Sequence, residues 1–233
     1  ARRALITWRQ RRHYLRDEGV TRANRTAIEA LYLDTLAVLE AIFTTRAFVL
    51  GARPCEGDFG LFASMFRHFF CDPTAARLMR DRAPHVLGWV SRLWALRPGD
   101  FAEAPPLAAL PADIAPLLAL IAADYLPYLA ANAAAAAQGA ATVNCHVHGG
   151  DFTTATSAYH LWCLDALRAD FAALGAGFLS VMPLFLSSSC ESGATVSSLS
   201  EEGRAAFAPF ANSITSSAVF PSSFFIMSAS ETP

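Results

Sequence analysis

At 233 residues the chain has length for one large domain or two small ones, with enough material for a sizeable core. Its 54% hydrophobic share is inflated by alanine, and the five cysteines (55, 71, 145, 163 and 190) are odd in number and lack a C-x-x-C pair, which excludes a disulfide framework and fits reduced thiols in a cytoplasmic protein. Net charge is −2, but residues 1–97 carry 16 Arg against 9 Asp and Glu (+7) while residues 98–233 carry 2 against 11 (−9). Arginine supplies all 18 basic residues. Such asymmetry can mark a nucleic-acid or membrane surface; here it reads as charge spread over solvated helix faces, so neither partner is expected.

Residues 4–16 (ALITWRQRRHYLR) predict a helix with Leu5, Trp8 and Leu15 apolar and Arg9, Arg11, Arg12 and Arg16 polar; Asp17-Glu18-Gly19 closes it. Thr26 with Glu29 forms a capping-box signal, followed by Ile28, Leu31, Tyr32, Leu36, Leu39 and Phe43 at helical spacing. Phe48-Val49-Leu50-Gly51 ends that run and leads into the stretch on which the chain is organised, residues 53–94 (RPCEGDFGLFASMFRHFFCDPTAARLMRDRAPHVLGWVSRLW). Cys55 stands at the N-cap position and Asp58 three residues later, where its carboxylate can accept the N–H of residue 55; Pro54 and Phe59 can close a hydrophobic staple. A thiol is a poor acceptor, so half of this capping box is weakened, at a cost of about 0.5–2 kcal/mol. Phe59, Phe62, Met65, Phe66, Phe69 and Phe70 predict an aromatic core face on an enclosed helix. Asp72-Pro73 starts the next helix, and Pro84 starts another that carries Trp89 and Trp94.

A Pro-rich connection, residues 97–111, precedes a long Ala/Leu segment reaching about Gln138. Asp113, Asp124 and Pro127 interrupt it, and an Asp at mid-span costs about 2.5–3.5 kcal/mol on insertion scales, so a helix bent near Pro127 is expected rather than a membrane span. Residues 142–152 (TVNCHVHGGDF) have extended character up to a Gly-Gly stop, and residues 156–174 return to helix with Tyr159, Leu161, Trp162, Leu164, Leu167 and Phe171 inward. From residue 175 the text turns rich in Ser, Phe and Pro and loses its periodicity. The expected organisation is a helical domain over 1–174 and an irregular tail over 175–233, either a flexible extension or a stretch that is not native coding sequence.

The phrase formed by Gly51, Pro54, Asp58 and Phe59, then Pro84 and Trp89, resembles the C-terminal helical domain of the glutathione S-transferase superfamily, where a G-x-x-P-[ST]-x-x-D-F turn leads into a central buried helix and a later Pro precedes a Trp-bearing one. Cys55 departs from the Ser or Thr of that pattern. The segment from Tyr125 to Asn132 (YLPYLAAN) is similar to one that follows the helical core in a subgroup of transferase-like proteins. The resemblance covers roughly residues 1–174 and implies an all-α bundle of the transferase C-terminal type. It implies the half that shapes the electrophile pocket and a homodimer scaffold, inactive without the thioredoxin-like N-terminal domain that binds glutathione, the co-substrate of the parent protein. It carries over no catalytic residue and no cofactor within this chain. By that analogy the first helix borders the cleft, making Trp8, Arg12 and Leu15 pocket-wall candidates, while Cys55 and Asp58 take the capping role. A non-catalytic relative using the same fold for protein contacts is the alternative.

A third reading draws on Cys145, His146, His148, Asp151, His160 and Cys163. His146 and His148 are two apart, so on a strand both would face one side, and His160 or Cys163 would complete a zinc set. The spacing matches no strong zinc pattern. Cys55 at a helix N-terminus, where the dipole can lower a thiol pKa, is read as a cap rather than a nucleophile.

Overall fold

A computed structural model describes residues 2–9, 15, 18–100 and 110–173. The reading of residues 175–233 as a tail therefore lies outside the described residues. The described chain is mainly helical, and it corrects the all-α expectation by adding a two-stranded antiparallel hairpin. The helices are α1 (Arg2–Arg9), α2 (Arg25–Phe43), α3 (Glu56–Ser64, continuing as a π-helical turn over Met65–Phe70), α4 (Pro73–Arg82), α5 (Pro84–Ala95), α6 (Ala112–Ala137) and α7 (Ala158–Ala173). The strands β1 (Thr142–Val147) and β2 (Gly150–Ala155) lie between α6 and α7.

The axis of the molecule is α2. Its 3.6-residue apolar repeat places Ile28, Leu31, Tyr32, Leu36, Leu39, Ile42 and Phe43 in the core, and it packs against α4, α5, α6 and β2. The capping box expected at Thr26 does not form: the N-cap falls two residues earlier, at Asn24, and Arg25 pairs with Glu29 at 2.8 Å along the helix surface. Asn24 is spent elsewhere. Fully buried, it accepts the Thr21 N–H at 2.8 Å and donates to Gly19 O at 2.9 Å and Asp151 O at 3.0 Å, tying the chain ahead of α2 to the hairpin.

The helix starts after α2 follow the sequence, and for physical reasons. Asp72 accepts the N–H groups of Thr74 and Ala75 at 3.0 and 3.3 Å, with Pro73 in the first turn of α4, where its missing donor costs nothing. For α5, Pro84 sets the backbone but Ala83 offers no side-chain acceptor. Glu40 of α2 fills that role across space, taking the N–H groups of His85 (2.9 Å) and Val86 (3.1 Å) while its other oxygen meets His85 Nδ1 at 2.6 Å. Rings close the seams between helices: Tyr32 stacks on Phe69 with centroids 4.1 Å apart, and Phe43 on Trp89 at 4.8 Å.

One face of α3 is not enclosed. Gly57, Asp58, Leu61, Ser64, Met65 and Phe69 are buried, but Phe59 is 51% exposed and Phe62, Phe66 and Phe70 are only half-buried. The expected staple residue Phe59 thus faces outward, and the buried rod of the fold is α2 instead.

Helix α6 is long and apolar enough to cross a membrane by length and composition, 26 residues of which an 18-residue stretch has mean hydropathy 1.6. Here its buried stripe of Leu117, Leu118, Ile121, Asp124, Tyr125, Tyr128, Leu129 and Asn132 packs against α2, β1 and α7. The disturbance expected near Pro127 takes the form of a π-helical turn over Ile121–Tyr125, closed by the Leu126 N–H bonding Ile121 O five residues back.

The Gly-Gly at 149–150 does not end the extended segment but turns it. His148 and Gly149, at φ 50° and 81°, form the two-residue turn of a hairpin whose register pairs Val143 with Thr154, Cys145 with Phe152 and Val147 with Gly150. Alternation then buries Val143, Val147, Gly150, Phe152 and Thr154, half-buries Cys145 and leaves Asn144, His146, Asp151 and Thr153 outside.

Candidate functional site

Asp58, three residues into α3 with no solvent exposure, gathers the centre of the helical layer. One carboxylate oxygen accepts the Val49 N–H at 2.9 Å and the Trp89 Nε1–H at 2.8 Å. The other accepts the Cys55 N–H at 3.0 Å and stands 3.1 Å from the Cys55 thiol, which donates to it. Three separate stretches (the turn after α2, the start of α3 and the middle of α5) are fastened through one side chain. Burial pushes the Asp58 carboxyl above the ordinary carboxylate range, and these donors pull against it. The weakness expected of Cys55 as an acceptor is offset in this way, because its thiol acts as a donor. Burial, with the Asp58 charge beside it, pushes the thiol up to about 12, so the sulfur stays protonated and is no nucleophile.

Of the first-helix candidates, Trp8 is 53% exposed on α1, Leu15 is half-buried with its carbonyl accepting the Val20 N–H at 2.9 Å, and Arg12 lies outside the described residues.

Nor does the hairpin bring the suggested zinc ligands together. His146 faces outward and pairs with Asp151 across the strands at 2.7 Å. His148 leaves the strand at the turn, so its side chain departs from the side shared in the expectation. Its Nδ1 lies 2.9 Å from Asp124 Oδ2 and its Nε2 lies 3.0 Å from Asp34 Oδ2. His160, on α7, meets Tyr128 Oη through Nδ1 at 2.8 Å. Burial drives His160 below its ordinary value, which disfavours the charged ring. Burial, with Asp151 second, raises the Cys145 thiol to about 11, disfavouring the thiolate a metal would need. Among the described residues no group of three His, Cys, Asp or Glu side chains is placed to hold a metal ion.

The segment from Tyr125 to Asn132 has a clear task. Asn132, without solvent exposure, exchanges two hydrogen bonds with the Ser157 backbone, donating to its carbonyl and accepting its N–H, both at 2.9 Å, directly ahead of α7. With the Tyr128–His160 contact this locks α7 onto α6. Sequence reading missed Asn132 and Glu40 as long-range caps and treated Asp124 as an interruption. The available signal was an isolated polar residue at an apolar heptad position, as at Asp124 and Asn132, since such a group is tolerated inside only with a hydrogen-bond partner.

Comparison with protein-family models, with curated proteins and with solved structures found no match to this chain.

Proposed function

We propose that residues 1–174 are the electrophile-pocket and dimer-scaffold half of a cytoplasmic glutathione S-transferase-like protein, inactive alone and acting with glutathione once joined to a thioredoxin-like N-terminal domain. The observation that carries this reading is the buried Asp58 node. The residues of the resemblance are chemically interdependent: the carboxylate of the D-F pair accepts from the N-cap residue, from the backbone that leads into the turn and from the Trp that follows the later Pro. A helix N-cap of that kind, reaching a tryptophan 31 positions away, supports shared architecture more strongly than any single motif residue does. Architecture alone does not fix activity.

The test is to read the coding sequence ahead of residue 1 and express the joined protein. The expected result is a βαβ unit with a Pro-preceded strand, retention on glutathione-agarose and conjugation of an apolar electrophile. A joined protein with no such unit and no retention removes the transferase reading, and retention of the present chain by itself overturns its being inactive alone.

A specific observation favours the non-catalytic reading as the second choice. Phe66 stacks on Trp94 with centroids 4.4 Å apart, and Trp94 remains 67% exposed beside half-buried Phe62 and Phe70. An apolar patch of this kind on one face suits a protein contact, a homodimer included. Trp94→Glu should then abolish concentration-dependent association in sedimentation velocity; unchanged association removes this surface from the reading.

A further inference from the structure

We infer that α1 is a membrane-surface helix, which lays Leu5, Ile6 and Trp8 into the headgroup region of an anionic lipid bilayer while its arginines meet the lipid phosphates. A helix that belonged to the bundle would bury its large apolar side chains and show its arginines to water. Here Leu5 is 62% exposed, Ile6 58% and Trp8 53%, three of the seven large apolar side chains left exposed among the described residues, and all three fall within positions 5–8. No apolar residue of α1 belongs to the core or to the residues packed against it, of which Val20 is the first in the chain. Leu5 and Trp8, three residues apart, share a side of the helix, and Ile6 extends the apolar surface around it.

Charge decides what covers this surface. The sequence of α1, RRALITWR, has three Arg and no acidic residue, and residues 1–16 together hold six Arg without an Asp or Glu. Residues 17–233 carry 12 Arg against 20 Asp and Glu, so positive charge is concentrated where the exposed apolar residues stand. A second copy of the chain would set one such cationic segment against another, and like charges oppose that contact. RNA has the matching charge, but aliphatic Leu5 and Ile6 give a base neither a stacking plane nor a hydrogen bond. An anionic bilayer takes all the parts. The aliphatic side chains reach the acyl boundary, Trp favours the interface, and Arg is drawn by the surface potential on a stem long enough to snorkel to the headgroups. With eight residues α1 is too short to span, so the contact is peripheral.

Co-sedimentation of the full chain with sucrose-loaded vesicles reads the contact. Binding to phosphatidylcholine vesicles that contain phosphatidylserine should exceed binding to phosphatidylcholine alone by about ten-fold or more, and should weaken as salt is raised. Arg2→Ser with Arg3→Ser should weaken it by about five-fold for each charge removed. Leu5→Ser, Ile6→Ser and Trp8→Ser together should weaken it by about ten-fold or more, and Trp8→Ala alone by less. These three positions lie outside the core, so circular dichroism and the unfolding midpoint should match the wild type. Trp94→Ala, at an exposed position on α5, and Arg77→Ser with Arg80→Ser, exposed on α4, should leave binding in place. Absence of binding to the anionic vesicles overturns the contact, as does undiminished binding by the triple apolar variant, which would mean adsorption by charge only. An equal loss in the α4 or Trp94 variants, or preference for a single-stranded oligoribonucleotide over the vesicles, overturns it as well.

Discussion

Asp58 accepts four hydrogen bonds, from the Val49 and Cys55 N–H groups, the Trp89 indole and the Cys55 thiol. Asp58→Ala leaves the Trp89 Nε1–H and the Val49 N–H without an acceptor, and each buried unsatisfied donor costs about 1–3 kcal/mol. A loss of about 3 kcal/mol or more is expected in urea unfolding, whereas Asp58→Asn, which keeps one acceptor oxygen, should lose distinctly less. Equal losses for the two substitutions would show that the shape Asn retains contributes nothing and that both acceptor oxygens of the carboxylate are required. His160 makes a prediction in pH. Its folded pKa lies below its unfolded value, so the unfolded chain binds the extra proton, and the stability it contributes is present above about pH 6.5 and lost as pH falls through the folded value. Thermal unfolding from neutral to mildly acidic pH should show this loss in the wild type, and His160→Gln should reduce it.

At the level of elements, the loop ahead of α2 and the hairpin are built to touch. A Cβ on Gly19 would lie 2.5 Å from Thr153 O and 2.9 Å from Thr154 Cγ2, at a φ of 76° that other residues rarely adopt. Gly139 has a similar φ of 67° after α6, but nothing within 4 Å. Gly19→Ala should therefore destabilise by about 2 kcal/mol or more, with clash added to backbone strain, and Gly139→Ala by only about 1 kcal/mol, the strain alone. Comparable unfolding midpoints for the two variants would contradict this packing. The π-helical turns show a related contrast. Pro127 has no N–H to donate back to the preceding turn, and the π-helical turn just before it carries Asp124, whose carboxylate accepts the His148 N–H. The turn at Met65–Phe70, closed by the Cys71 N–H bonding Phe66 O at 3.2 Å, has no proline beside it and no such signal in the sequence.

Across the whole molecule one continuous core runs through α2 to α7 and the hairpin, joined by polar clasps at long sequence separation: Glu40 to α5, Asp58 to Trp89, Asn24 to the hairpin and Asn132 to α7. Asn132→Ala removes both bonds to Ser157 and strands two backbone groups, so a loss of about 1–3 kcal/mol is expected, with exchange protection falling first in α7. Uniform loss of protection throughout the chain would mean that α7 is not a separable unit.

What the sequence determined by itself was local. The α3, α4 and α5 starts were legible because Cys55-x-x-Asp58, Asp72-Pro73 and Pro84 act on backbone within one turn, and the extended segment because β-branched residues alternate there. The choice of α2 over α3 as the buried axis, the outward aim of Phe59 and the dispersal of the three histidines to separate partners were decided only by the tertiary structure. Periodicity tells which residues share a face; which face is covered depends on neighbours brought together from distant parts of the chain, and that information is not local.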